Sequence, residues 1–249
     1  MLRKIYLVAI NGLFWAFFVL SSMVLVIGAA LIRLVTKPFD PNLRFLQKYT
    51  CLWSSLYLWV NPFWSLEKSG LERADKKRAY VIVANHQSMA DIICVFNTFL
   101  HFKWVAKKEL FKVPLLGWNM SLNGYVAIDR GNPESRERCL RDCRGWLEQG
   151  SSVFFFPEGT RSQDGQLRDF KPGAFRLAME SGFDILPIVI RDSLYAIPKH
   201  SRLLSGKSRM RLEVLDPVAV APFKNGDLDA AARRLSDEVR ARIAARLGT

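Results

Sequence analysis

Histidine occurs three times in the 249-residue chain, and only His86 stands at the end of an apolar run with an acid five residues on. It lies in Asn85-His86-Gln87-Ser88-Met89-Ala90-Asp91, directly after Tyr80-Val81-Ile82-Val83-Ala84. A short run of β-branched residues reads as a buried strand. The end of a strand entering a helix is where α/β folds carry their active groups. If a helix starts near Ser88, Asp91 falls in its first turn, within reach of the imidazole. A carboxylate holding one ring nitrogen leaves the other as a general base, the logic of a catalytic dyad without a serine nucleophile. The same residues also suit a helix start, with Ser88 as N-cap and Asp91 favoured by the helix dipole. Spacing alone leaves both readings open. His101 and His200 have no comparable setting and read as surface or structural histidines.

A second constellation, Phe156-Pro157-Glu158-Gly159-Thr160-Arg161-Ser162, follows another apolar run at 153–156. It delivers a carboxylate, a glycine and an arginine into one turn. Glycine lets a ligand approach the backbone, and arginine can clamp a phosphate through two parallel hydrogen bonds. Phe170-Lys171-Pro172-Gly173 adds a cation just before a helix. The bland alternative is a surface loop in which Glu158 and Arg161 pair with each other. A third constellation, Gly124-Tyr125-Val126-Ala127-Ile128-Asp129-Arg130-Gly131, puts Asp129 and Arg130 at a strand end. A helix-preceding turn with a solvated ion pair would look the same.

The elements that must position these groups alternate in type. Strands are expected at 80–84, around Trp104 and Val105, at 125–128, 153–156 and 185–190, with a more exposed strand at 209–215. Helices are expected at 88–100, in pieces across 110–122, from the Asn132-Pro133 start to about Gln149, and at 174–181 up to Gly182. The last helix, Leu228–Leu247, has Leu235, Val239, Ile243 and Leu247 at spacing four. This alternation predicts an α/β class, a mixed sheet flanked by helices.

Before the globular part lies a hydrophobic helical membrane anchor. Residues 5–32 carry no charge. As a helix they reach roughly 42 Å, against about 30 Å of hydrocarbon. A tilted span fits, as does a bent helix or a hairpin broken at Asn11-Gly12 or Gly28. A second uncharged stretch, 49–66, holds Trp53, Tyr57, Trp59 and Trp64, aromatics that favour the headgroup level. The expected division is an anchor over 1–66 and an α/β domain over 67–249. Arg33, Lys37, Arg44 and Lys48 between the stretches outnumber Arg3 and Lys4 before the first, which favours the loop on the cytoplasmic side.

The formal net charge is +13. Beside a hydrophobic N-terminus, attraction to an anionic membrane surface accounts for it best, and no nucleic-acid-binding motif is visible. Four cysteines, Cys51, Cys94, Cys139 and Cys143, are too few for a disulfide scaffold and indicate a reducing compartment. Cys139 and Cys143 read as a buried structural pair, with no further metal ligands nearby.

Taken together, the blocks resemble the glycerolipid acyltransferase family, specifically its bacterial 1-acylglycerol-3-phosphate acyltransferases. The His-x4-Asp block (NHQSMAD), the Ile-Asp-Arg block, the Phe-Pro-Glu-Gly-Thr-Arg-Ser block and the strand Leu186-Pro187-Ile188 stand in the family's order. Lys107-Lys108-Glu109-Leu110 and Phe170-Lys171-Pro172-Gly173 also look like family features. The likeness covers roughly 80–190. Ala127 departs from it, where many members carry a bulkier residue, and bears on packing beside Arg130.

The resemblance implies that His86 is the base and Asp91 its orienting carboxylate. It implies that Arg130 and Arg161 recognise the acceptor phosphate, that Glu158, Gly159 and Thr160 shape the acceptor pocket, and that Lys107 and Lys171 are further phosphate candidates. The donor would be acyl-CoA or acyl-acyl-carrier-protein, the acceptor a lysophospholipid acylated at its sn-2 hydroxyl, with no cofactor, metal or nucleic acid. It also implies a two-helix anchor in one leaflet, with the catalytic domain on the cytoplasmic face of the inner membrane. Two rivals remain: acylation of another lyso-acceptor such as a lyso-ornithine lipid, and a non-catalytic, membrane-tethered lipid-binding protein using the same cations.

Overall fold

The computed structural model describes residues 2–197 and 207–248, with side chains from Ile10 on. His200 lies outside the described residues. The chain opens with α1 (Leu2–Thr36) and α2 (Arg44–Trp59). Neither Asn11-Gly12 nor Gly28 breaks α1, contrary to the break points read from the sequence. Gly28 is a packing glycine: a Cβ there would collide with the Tyr49 hydroxyl of α2, which donates to the Leu25 carbonyl at 3.1 Å. Within α1, Ile10–Thr36 is long and apolar enough to cross a membrane.

The aromatics of α2 turn mostly inward. Trp53 and Tyr57 are buried, while Phe45 and Trp59 at the two ends of the helix are largely exposed. The Trp53 indole donates to the Tyr57 hydroxyl at 2.6 Å, which meets Ser22 of α1 at 2.9 Å. Trp64 is not an interface aromatic either. It begins β1 (Trp64–Ser69), the first strand of the sheet.

The sheet is built from β1, β2 (Val81–Ala84), β3 (Phe102–Lys107), β4 (Val126–Ile128), β5 (Ser152–Phe155), β6 (Ile185–Arg191) and β7 (Ser208–Val214). Their order is β1-β7-β6-β2-β5-β3-β4. Every neighbouring pair is parallel except β6 with β7. The sheet is therefore mixed, and the C-terminal ends of β2, β3, β4 and β5 share one edge.

Strand alternation divides the core in two. Ile82, Phe102, Trp104, Phe154 and Leu186 face α2 and α3 (Ala90–Phe96). Val81, Val83, Val153, Ile185 and Val189 face α5 (Pro133–Glu148), α6 (Gly173–Ser181) and α7 (Leu228–Leu247). α3 is shorter than the expected 88–100, ending at Phe96 with Asn97 as its C-cap before Phe99 takes φ 55°. α4 (Leu116–Leu122) packs against α1. α5 starts as its sequence dictates, with the Asn132 side chain accepting the Ser135 amide at 3.1 Å and proline in its first turn.

The loop between α1 and α2 is fastened to the domain. Lys103 of β3 is fully buried, with its ammonium over the Trp146 ring. It donates to the Asn42 carbonyl at 2.9 Å and to the Asn123 carbonyl at 2.9 Å. Asn42 donates to the Gln149 carbonyl at 2.8 Å, and Arg44 to the Gly150 carbonyl at 3.1 Å.

Candidate active site

Strand β2 ends at Ala84 and delivers His86 to the shared edge. Asn85 sets the direction of that exit. Its side chain donates to the Ile190 carbonyl and accepts the Ile190 amide, each at 2.8 Å, so it continues the pairing of β2 with β6 by one more rung. The His86 amide donates to Glu158 Oε1 at 2.7 Å, and its carbonyl accepts the Ser162 amide at 2.8 Å. The backbone of the histidine is thus clamped from both sides by the loop that follows β5.

The ring is fixed as firmly. His86 Nδ1 lies 2.8 Å from Asp91 Oδ2. The histidine side chain is 14% exposed and the aspartate 0%. Phe156 stacks on the imidazole with centroids 3.9 Å apart and planes at 12°. Asp91 Oδ2 also accepts the amides of Gln87 at 2.7 Å and Ser88 at 2.8 Å. One oxygen therefore closes the turn and orients the ring, while the helix itself begins at Ala90 with Met89, not Ser88, at its N-cap position and no side-chain cap there. Ser88 contributes by accepting the Ala90 amide at 3.2 Å and donating to the Ile197 carbonyl at 2.9 Å. With Nδ1 engaged, Nε2 is the ring nitrogen that remains for chemistry.

Glu158 does not pair with Arg161. It is buried, with Oε1 on the His86 amide and Oε2 on the Arg168 amide at 3.2 Å. Burial pushes its carboxyl up to about 7, against the two amides, which favour the charged form. Arg161 is partly buried. Burial lowers its guanidinium and the nearby Asp91 charge opposes that, which puts the cation in the field of the dyad.

Arg130 leaves the end of β4, crosses the end of β3 and donates to the Gly159 carbonyl. Gly159 takes φ 75°, a conformation glycine adopts without strain, and a Cβ there would fall 2.9 Å from Lys171 Cε. The Lys171 stem thus lies across Gly159, and its amide donates to the Pro157 carbonyl at 2.9 Å. Arg130, Lys171 and the 158–161 loop converge, and Thr160 is exposed on that loop. Lys107 is exposed at the end of β3 and pairs with Glu109 at 3.6 Å. Asp129 forms the solvated ion pair expected of that turn, with Lys108 as its partner.

Phe156 was visible in the sequence as one more apolar residue of a strand, with no signal that its ring would carry the histidine. His101 hydrogen-bonds Ser151 at 2.9 Å, and burial lowers it to about 3, which keeps it neutral. All four cysteines are buried and reduced. Among the described residues no group of three or more His, Cys, Asp or Glu could hold a metal.

The family model described as Acyltransferase matches residues 65–191, about half of the chain. The chain is 34% identical to the chloroplastic 1-acyl-sn-glycerol-3-phosphate acyltransferase of Arabidopsis thaliana over 87% of its own length and 59% of that protein. It is 34% identical to the 1-acyl-sn-glycerol-3-phosphate acyltransferase of Chlamydomonas reinhardtii over 94% of its length and 68% of that protein. The chain thus spans little more than half of the Arabidopsis protein. Its fold matches the crystal structure of the 1-acyl-sn-glycerophosphate acyltransferase of Thermotoga maritima with a TM-score of 0.75, at 24% identity, over 98% of this chain and 97% of that one.

Proposed function

The chain belongs to the acyltransferase family, and from that premise we propose that it transfers a fatty acyl chain from a thioester to the sn-2 hydroxyl of 1-acylglycerol-3-phosphate, giving phosphatidic acid. The observation that carries this reading is the His86–Asp91 hydrogen bond of 2.8 Å, held at the same sheet edge as Arg130 and Arg161. A phosphate-binding protein has no need of a buried carboxylate behind a stacked imidazole.

Asp91 holds Nδ1–H, so Nε2 accepts the proton of the acceptor hydroxyl. The oxygen attacks the thioester carbonyl and forms the new ester bond as the C–S bond breaks. The thiolate leaves with the proton returned by the imidazolium. Acyl-CoA and acyl-acyl-carrier-protein both supply such a thioester. Asp91 stabilises the imidazolium, and the Phe156 stack keeps the ring from rotating away. Arg130 and Arg161 provide two cations for a dianionic phosphate, with Gly159, Thr160 and Lys171 around them. Glu158 acts on the substrate only through the His86 backbone, as a positioning residue. The apolar α1 supports membrane attachment, and the basic loop after it supports a catalytic domain on the cytoplasmic side.

The test is a labelled acyl-thioester donor offered to purified protein with a panel of lyso-acceptors. Charge-assisted contacts contribute on the order of 1.5–3 kcal/mol, so Arg130→Ala or Arg161→Ala should weaken the use of lysophosphatidic acid by roughly 10- to 100-fold, mainly in acceptor KM. Wild-type preference for lyso-ornithine lipid, or equal loss with both acceptors, would transfer the assignment to that other class of acceptor.

A further inference from the structure

The apolar surface of the molecule does not end with α1. Along that helix Leu20, Val24, Ile27, Leu31 and Leu34 are exposed, which is the face expected to meet hydrocarbon. α4 packs beside α1. The turn leading into α4, together with its first residues, exposes Val113 at 42%, Leu116 at 40% and Trp118 at 55%. A groove of about 590 Å³ joins the two helices, with Val26, Ile27, Ala30 and Arg33 on one side and Trp118 and Leu122 on the other. The two helices therefore present one continuous apolar face.

The turn holds its side chains outward by its own geometry. The Gly117 amide donates to the Val113 carbonyl at 2.7 Å, and the Phe111 backbone leaves no room for a Cβ at Gly117. Leu115 takes φ 64° and packs inward against the cluster of Val26, Trp53 and Tyr57, while its neighbours point out. Lys112, exposed on the same turn, and Arg33 in the groove flank the apolar residues with positive charge. Tryptophan flanked by cations is the composition of a membrane interface. The segment follows the C-terminal end of β3, on the edge that carries His86.

We propose that residues 113–118 form a second membrane contact, seated at the boundary between headgroups and acyl chains of an anionic phospholipid leaflet beside α1. The contact holds the catalytic edge of the sheet against the bilayer from which a lipid acceptor would come. The proposal rests on reading α1 as the anchor, and the experiment separates the two. Because the four native cysteines are buried, a nitroxide can be attached at Val24→Cys or at Leu116→Cys in the full-length protein on phosphatidylglycerol-containing vesicles. Relaxation by oxygen reports lipid, and relaxation by a water-soluble nickel chelate reports solvent. Both labels should be relaxed more by oxygen. A lipid signal at the Val24 site with a solvent signal at the Leu116 site overturns the second contact and leaves the anchor standing. Solvent signals at both overturn the anchor.

Activity gives an independent readout. Trp118→Asp should cut turnover of a vesicle-borne acceptor by about tenfold or more, while a short-chain acceptor that is monomeric in water is used as by wild type. Equal loss with both acceptors overturns the proposal.

Discussion

Glu158 beside the His86–Asp91 pair and Lys103 beneath the α1–α2 loop are opposite in charge and alike in use. Each is buried, and each ties together two backbone segments distant in sequence. Glu158 accepts amides from His86 and Arg168. Lys103 donates to carbonyls of Asn42 and Asn123. Burial moves both towards neutrality, Glu158 up to about 7 and Lys103 down to about 7. They differ in what hangs on the joint. Behind Glu158 is the backbone of His86, whereas behind Lys103 is the loop between α1 and α2. The chain uses the same physical device once to fix the histidine backbone at the sheet edge and once to join the first two helices to the sheet.

Removing each joint should separate the two jobs. Glu158→Ala leaves the His86 and Arg168 amides without their acceptor and frees the histidine to shift, and misplacement of about 1 Å can cost on the order of 100-fold in rate. Purified Glu158→Ala should therefore lose about that much kcat at a temperature where it is still folded. Full kcat would reduce Glu158 to a purely structural residue. Lys103→Met leaves the buried Asn123 carbonyl and the partly buried Asn42 carbonyl without their donor, at about 1–3 kcal/mol for the buried one. Its unfolding midpoint should fall clearly, while kcat per folded molecule stays within about twofold of wild type. A large kcat loss with an unchanged midpoint would mean that the anchor joint reports to the active site.

A smaller effect lies in the pH dependence of stability. Glu158 rises from 4.5 to about 7 on folding, so in that window the folded chain holds a proton that the unfolded chain has released. Its contribution is complete below pH 4.5 and is lost as pH rises through 7. Lys103 falls from 10.5 to about 7, so its contribution is present above 10.5 and is lost as pH falls towards 7. Relative to wild type, Glu158→Gln should flatten the slope on the acid side of neutrality and Lys103→Met the slope on the alkaline side. Parallel curves for wild type and both variants would contradict the burial of these charges.

These joints were largely hidden in the sequence, whereas the elements around them were not. Asn132-Pro133 marked the start of α5, and spacing four along 228–247 marked α7, because local capping and periodicity decide both. β1 escaped notice: Trp-Ser-Leu-Glu-Lys-Ser is short and mostly polar, and it is a strand because it pairs with β7, about 140 residues away in the chain. Lys103 sits between Phe102 and Trp104 as a solvent-facing residue of an edge strand would, and nothing local shows that Trp146 and the 37–43 loop cover it. At the active site, His86, Asp91 and the Glu158–Arg161 turn were legible from residue type and strand ends. The Phe156 stack and the role of Glu158 were not, because both depend on β2 and β5 lying side by side in parallel.

Acyl transfer by the His86–Asp91 pair at the end of β2, as proposed, is reached directly by one measurement. Purified wild type and His86→Ala are compared for acyl transfer from a labelled thioester to lysophosphatidic acid, with thermal unfolding recorded on the same samples. Loss of a general base typically costs about 10² to 10⁴ in rate, and His86 is a strand-end residue whose removal leaves the core intact. A loss of that size with a nearly unchanged unfolding midpoint is expected. Near-normal turnover by folded His86→Ala protein would contradict it.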